Sequence, residues 1–394
     1  MKVSAIVKQL ISTALAAAVS LALPSTVSAA DVPSDVICED FGDSLSEKAE
    51  LPNGWLLWHS YTSYSALDSQ LYLRSPDGSV ETISGDFTHA MNGSFGISPD
   101  QITFMAMDKN TDEWDIYIRE NGIITNLTPH SECRNEDPRI SPDGRYIAYK
   151  RGNWSYSMND FMYDLVIRDL ATGEEELMTM TADEEAMPCF SADGKKIYYA
   201  GFEDGIGSIC CFDPEANESC VIYRDYTISA YYPVVSDDKL YYTRWYSGEN
   251  HCDQIICHDS CGDTPMPFNS PVYDCSDACP VEGDKMVFSS TMNGDYDLYY
   301  YDGSNVSPLS ELNSDKNELG ACFYSYDRYL ENNMKKGDIN GDGVIAVADL
   351  VLLQKWLLAV PGTELECPGA ADLDSDGTID VFDLAALRKE LISV

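Results

Sequence analysis

The sequence predicts a mainly β chain: a β-propeller of six blades followed by a small all-α domain built on two oxygen-rich loops. Three observations predict it. Aligning Leu71, Ile116, Leu165, Ile209, Ile255 and Leu298 gives repeat steps between 43 and 49 residues, a period that with several strands per unit signals a propeller. Each unit carries a tight turn rich in Pro, Asp and Gly between two runs of alternating apolar residues, the mark of a hairpin. The stretch GDINGDGVIAVADL at Gly337–Leu350 returns as ADLDSDGTIDVFDL at Ala371–Leu384.

The elements follow in order. Residues 1–30 read as a secretory signal peptide, with Lys2 and Lys8 ahead of an apolar run and Val27-Ser28-Ala29 at the cleavage site. The apolar run is short for an anchor and no later segment reaches about 18 apolar residues, so an exported chain without a membrane span is expected. Residues 31–53 form a lead-in, and the ring spans 54–325. First and second strands meet in FGISPDQITFMAM from Phe95, PRISPDGRYIAYK from Pro138, PCFSADGKKIYYA from Pro188, PVVSDDKLYYTRW from Pro233 and PVEGDKMVFSS from Pro280. Third strands include SQLYLRSPDG from Ser69, DLVIRDLATG from Asp164 and YDLYYYDG from Tyr296. ELGACFYS, Glu318–Ser325, reads as an inner strand without followers, so it completes the first blade and clasps the ring. Ser44–Leu51 competes for that place and would leave a seventh, incomplete blade. The SPDG turns resemble the repeats of TolB-like propellers, a resemblance that implies the fold and leaves the function open.

Residues 326–336 read as a linker, and 337–394 as a domain of their own. Asp338, Asn340 and Asp342 stand at alternate positions, Gly343 permits a sharp turn, and Asp349 closes the loop at position twelve. Asp372, Asp374, Asp376, Gly377 and Asp383 repeat the register. With backbone carbonyls at position seven, Val344 and Thr378, these are two Ca2+ loops of EF-hand type. At position nine Ala346 offers no ligand, whereas Asp380 does. Leu350, Leu353 and Leu357, then Leu384, Leu387 and Leu391, give one apolar stripe per following helix, and the two units are expected to pack on each other. Duplication, spacing and Asp at position twelve closely resemble a type I dockerin. The resemblance implies two bound calcium ions and docking into a cohesin module of a scaffolding protein, which places the chain in an extracellular cellulosome. It also implies that loop positions 10, 11, 17 and 18 choose the cohesin: Val347, Ala348, Gln354 and Lys355 in one copy, Val381, Phe382, Arg388 and Lys389 in the other. The unlike pairs argue against two interchangeable binding modes.

A formal charge of −41 with pI near 4.1 disfavours nucleic acid and anionic membranes. The thirteen cysteines include no C-x-x-C pair, so a zinc knuckle is not expected; they are read as disulfides of unreadable connectivity or as buried thiols. No G-x-S-x-G elbow occurs, and His59, His89, His130, His251 and His258 form no H-x-H or H-x-x-x-H pair. Acidic residues Glu136, Asp137, Glu184, Glu185, Asp274, Asp277 and Glu318 read as loops ringing the channel mouth, solvated and negative, with a site for a cation or a basic peptide as the alternative. Four of six tryptophans, Trp58, Trp114, Trp154 and Trp245, fall near the connections between second and third strands, a candidate face for stacking sugar rings; packing between blades is the alternative. The expected function is a cellulosome component whose ring binds carbohydrate or protein in polysaccharide degradation. A catalytic polysaccharide lyase or glycoside hydrolase is the alternative, and catalytic residues are not assigned.

Overall fold

The computed structural model describes residues 50–393 apart from 111–112, 130–132, 156–159, 180, 182, 247–251, 334 and 375. The signal peptide, most of the lead-in, and His130 and His251 lie outside the described residues. The chain divides after Tyr324 into two compact units.

The first unit holds six four-stranded antiparallel sheets. In the first blade the strand order is Asn317–Ser325, Gly54–Tyr61, Gln70–Arg74 and Val80–Thr82. The late strand therefore closes the ring from the inside, as its lack of followers in sequence predicts. Glu318, fully buried, fastens the closure by accepting hydrogen bonds from the Ser60 hydroxyl at 2.7 Å and the Ser314 hydroxyl at 2.6 Å. The other inner strands are Phe87–Phe95, Arg134–Ile140, Glu184–Phe190, Ile228–Ser236 and Cys275–Glu282.

The repeat has a physical centre in each blade. Leu71, Ile116, Leu165, Ile209, Ile255 and Leu298, the six residues that align the repeats, are all fully buried. In five blades the backbone N–H of that residue donates to a side-chain oxygen arriving after the outer strand: Ser84 at 2.7 Å, Thr128 at 3.0 Å, Thr179 at 2.8 Å, Asn269 at 2.9 Å and Asn313 at 2.8 Å. Blade four differs because a bulge between Ile209 and Cys210 pairs Ile209 with Tyr223 instead.

A second six-fold feature lies nearer the axis. Asn92, Asp137, Met187, Tyr232, Asp277 and Gly320 all adopt positive φ, between 53° and 64°. In the first five the inner strand slips against its neighbour at that point, a bulge that turns the strand and re-aims its side chains. Two bonds join four of these residues across blades: Asn92 Nδ2 donates to Asp137 Oδ1 at 2.8 Å, and the Gly320 N–H donates to Asp277 Oδ2 at 2.8 Å. Glycine is required at 320 for space as well, since an added Cβ would lie 2.5 Å from the His59 ring.

The second unit contains helices Tyr326–Asn333, Val347–Leu357, Pro368–Ala371 and Val381–Ser393. The segment read as a linker thus carries a helix. The helix after the first loop stops at Leu357, because Ala359 takes the left-handed conformation and its N–H bonds back to the Trp356 carbonyl. Ile339, Leu353, Ala371 and Leu387 form its buried core, flanked by the remaining leucines of both stripes. The twelve described cysteines are all unbridged; Cys210, Cys211, Cys275, Cys279 and Cys367 are buried and pack as small apolar groups. No described helix is long and apolar enough to cross a membrane.

Candidate calcium loops and channel mouth

The two C-terminal loops share one hydrogen-bond frame. Asp349, fully buried, accepts from the N–H groups of Ile339 at 2.9 Å, Asn340 at 3.1 Å and Ala346 at 2.8 Å. Asp383 repeats this with Leu373 at 2.7 Å, Asp374 at 3.3 Å and Asp380 at 2.8 Å. The Gly343 N–H donates to Asp338 at 2.8 Å, and the Gly377 N–H to Asp372 at 3.2 Å. These bonds fold each loop back around its first and twelfth residues.

The donor set fits a hard cation. Asp338 is buried, yet its Oδ1 has no hydrogen-bond partner, and a carboxylate oxygen without a donor in that setting is costly unless a cation meets it. Asp372, Asp374 and Asp376 bring oxygens within 4.8 Å of one another. Burial and then the neighbouring Asp376, Asp383 and Asp372 carboxylates push the Asp374 carboxyl up. Asn340 and Asp342 complete the first loop, with the Asp342 N–H bonded to Asn340 Oδ1 at 3.1 Å. Asp380 uses one oxygen to accept the Phe382 N–H at 2.7 Å, which caps the following helix and leaves its second oxygen for the loop. The Val344 and Thr378 backbones stand at position seven, each with its N–H on the preceding aspartate. The residues read as cohesin-facing, Val347, Ala348, Gln354, Lys355, Val381, Phe382, Arg388 and Lys389, are all exposed. Phe382 is 68% exposed, so its ring belongs to the surface and not to the core of this unit.

At the channel the structure corrects the sequence reading. The acids expected as solvated loops sit at the start of, or inside, inner strands, and Glu136, Asp137, Glu185, Asp277 and Glu318 are buried. Two different settings hold them. Towards blades three and four Lys150 is the counter-charge: its Nζ lies 2.9 Å from Glu136, 3.7 Å from Asp137 and 3.4 Å from Glu184, and 4.5 Å over the Tyr163 ring. Burial alone would depress this ammonium, but the three carboxylates outweigh it and hold it well above the usual lysine range. Towards blades five and six burial pushes the carboxyls of Asp253, Asp274 and Asp277 up, with Arg139 opposing it at Asp277. The Tyr231 hydroxyl donates to Asp253 Oδ1 at 2.6 Å. Lys150 was missed in sequence; its signal is a lysine ending the apolar run YIAYK.

The tryptophan face divides. Trp58 stacks on Tyr72 at 5.4 Å and Trp114 packs against His89 at 4.7 Å; both are almost wholly buried and are removed from the expected ligand face. All four tryptophans lie in strands, Trp58 in mid-strand, Trp114 at the first residue of its strand, and Trp154 and Trp245 at the next-to-last residue of theirs, so position along the strand separates the buried pair from the other two. Trp245 is half-buried and Trp154 is 42% exposed. Trp154 meets Phe161 edge-on at 5.1 Å, and the Arg134 guanidinium covers Phe161 at 4.7 Å. Phe161 continues to Tyr163 at 6.1 Å, so one aromatic strip on blade three leads from the exposed tryptophan to the Lys150 cluster.

These two units define a six-bladed β-propeller joined to a duplicated-loop docking module. Residues 336–392 match the Dockerin type I domain, and the C-terminal unit is a type I dockerin. Among solved structures, the ring is similar to the Kuenenia stuttgartiensis hydrazine synthase at 12% identity and TM-score 0.57, over 69% of this chain and 47% of that one; this chain thus spans about half the length of that relative. It is also similar to TolB from Acinetobacter baumannii at 16% identity and TM-score 0.48, over 68% and 66% of the two chains. The β-propeller domain of the Trilobed protease from Pyrococcus furiosus matches at 18% identity and TM-score 0.41, over 57% and 72%. At these identities the likeness concerns the fold alone. No curated protein matches the chain.

Proposed function

We propose that this chain is a secreted cellulosome component that binds a cohesin module of a scaffolding protein through its dockerin, with one Ca2+ in each of the two loops. The observation that carries the reading is the match of residues 336–392 to the dockerin family, supported by the unpartnered buried oxygen of Asp338 and the converging carboxylates of Asp372, Asp374 and Asp376. Cohesin specificity is assigned to Val347, Ala348, Gln354 and Lys355 and to Val381, Phe382, Arg388 and Lys389. The ring then serves as cargo that binds carbohydrate in polysaccharide degradation, with Trp154 and Trp245 as the stacking residues. A binding role suits the ring better than a lyase or hydrolase, because the acids near its axis are buried and either paired with Lys150 or hydrogen-bonded.

Tryptophan fluorescence titrated with soluble xylan, mannan and glucan tests the cargo role, alongside assays for reducing sugar and unsaturated product. A shift with one glycan, lost in the W154A/W245A chain without a change in melting, is the expected result. Release of product would replace the binding role with catalysis, and no response to any glycan would remove the sugar reading while leaving the dockerin intact.

A further inference from the structure

Between blades four and five, on the face that carries the turns from inner to second strands, lies a cavity of about 520 Å3. Its floor is apolar: Tyr198, Ile222, Val235 and Leu240 line it, and the first three extend the inter-blade core out to solvent. Its rim is acidic, made by Asp193, Asp237, Asp238 and Asp259. Asp193 pairs with Lys195 at 3.5 Å, and Asp259 accepts the Cys261 N–H at 2.7 Å. Asp237 and Asp238 are exposed and make no hydrogen bond or ion pair among the described residues. The nitrogen-bearing side chains in the lining face elsewhere: Lys239 Nζ is held by Asp284 at 2.6 Å, and His258 Nδ1 lies 2.7 Å from Asp263.

The geometry points to a basic peptide ligand: we infer that this cavity takes a lysine or arginine side chain from an extended segment of a partner protein. The aliphatic stem lies on Tyr198, Ile222, Val235 and Leu240, and the charged head reaches Asp237 and Asp238. Long basic side chains suit such a site because stem and head demand opposite surroundings, and complementary charge fixes the orientation. The volume falls within the range of ligand cavities, roughly 300–1,000 Å3. A metal ion suits the rim less well, since the one described trio of groups close enough to share an ion is Asp372, Asp374 and Asp376 in the dockerin.

The test uses the full calcium-loaded chain and fluorescence anisotropy of a labelled pentapeptide, Gly-Leu-Arg-Leu-Gly, with counterparts carrying lysine or glutamate at the centre. The arginine and lysine peptides are expected to bind, more weakly as salt rises, and the glutamate peptide to bind at least tenfold more weakly. The D237N/D238N chain should lose at least tenfold in affinity for the basic peptides. It should still fold, because Asp237 has φ 52°, a conformation asparagine tolerates, and an unchanged melting curve checks this. A Y198A chain tests the floor, with a several-fold loss expected for all binding peptides. Equal binding of the arginine and glutamate peptides, unchanged affinity in the D237N/D238N chain, or no binding of either basic peptide overturns the inference.

Discussion

Asn269 does with one side chain what another strand would do with its backbone. Its Oδ1 accepts the Ile255 N–H at 2.9 Å and its Nδ2 donates to the Ile255 carbonyl at 2.7 Å, both out of reach of water. Leucine at this place would leave the buried Ile255 N–H without a partner, at a cost of about 1–3 kcal/mol, while the Ile255 carbonyl would keep the Met266 N–H at 3.0 Å. N269L is therefore expected to lower the melting temperature of the ring by several degrees, measured by calorimetry; a change indistinguishable from zero would show that the bond is dispensable. Protonation acts at the same scale. Burial lowers His59 from its usual 6.5 to about 3 and His89 to about 4, so the unfolded chain binds more protons below pH 6.5 and the ring loses stability as pH falls from there towards 4. Glu185 has the opposite sign: burial raises it from 4.5 to about 7, so the folded ring holds a proton that the unfolded chain releases, and stability falls as pH rises between those values. From pH 4.5 to 6.5 the two histidines outweigh the one glutamate, so with these groups the ring's melting temperature should peak at about pH 7. E185Q should steepen the rise between pH 4.5 and 7 and leave the profile below pH 4.5 unmoved. Identical profiles for the two proteins between pH 4.5 and 7 would contradict the assignment.

At the scale of elements, the two loop–helix units of the dockerin share their frame but not their chemistry. Asp380 stands where Ala346 offers no oxygen, so the second loop is expected to bind calcium more tightly than the first; calorimetry on D342A and D376A chains reads the order directly, and a tighter first loop would refute it. Phe382 is an exposed ring beside the likewise exposed Val381, on a helix whose Leu384, Leu387 and Leu391 face inward. F382A should weaken cohesin binding by about 2 kcal/mol or more, as buried interface aromatics commonly do, while calcium-loaded melting stays unchanged. Lost melting with unchanged cohesin affinity would return Phe382 to the fold. Much of this was legible in sequence. Oxygen donors at fixed spacing identify the loops because coordination demands that spacing, and six fully buried anchor residues identify the blades because radial packing demands one in each. The ring of positive-φ positions at Asn92, Asp137, Met187, Tyr232, Asp277 and Gly320 was not legible, because five different residue types serve one backbone conformation. The fates of Trp58 and Trp154 were not legible either: both are aromatic residues of second strands, and a few residues' difference in position decides burial.

At the scale of the whole molecule, a closed ring and a calcium-organised docking unit rest on different physics. The ring is held by apolar burial and by a late strand whose Glu318 is fastened to Ser60 across the sequence. The dockerin's carboxylates repel one another unless a cation joins them. Chelation should therefore melt residues 337–394 and spare the ring, seen as loss of helical signal with the high-temperature transition retained. The most direct test of the central claim is titration of the full chain with a panel of type I cohesins by calorimetry, once in millimolar calcium and once in EDTA. The account predicts tight one-to-one binding to at least one cohesin in calcium, abolished by EDTA and by the D342A/D376A double substitution. Binding that persists in EDTA, or no binding to any cohesin by a calcium-loaded and folded chain, would contradict it.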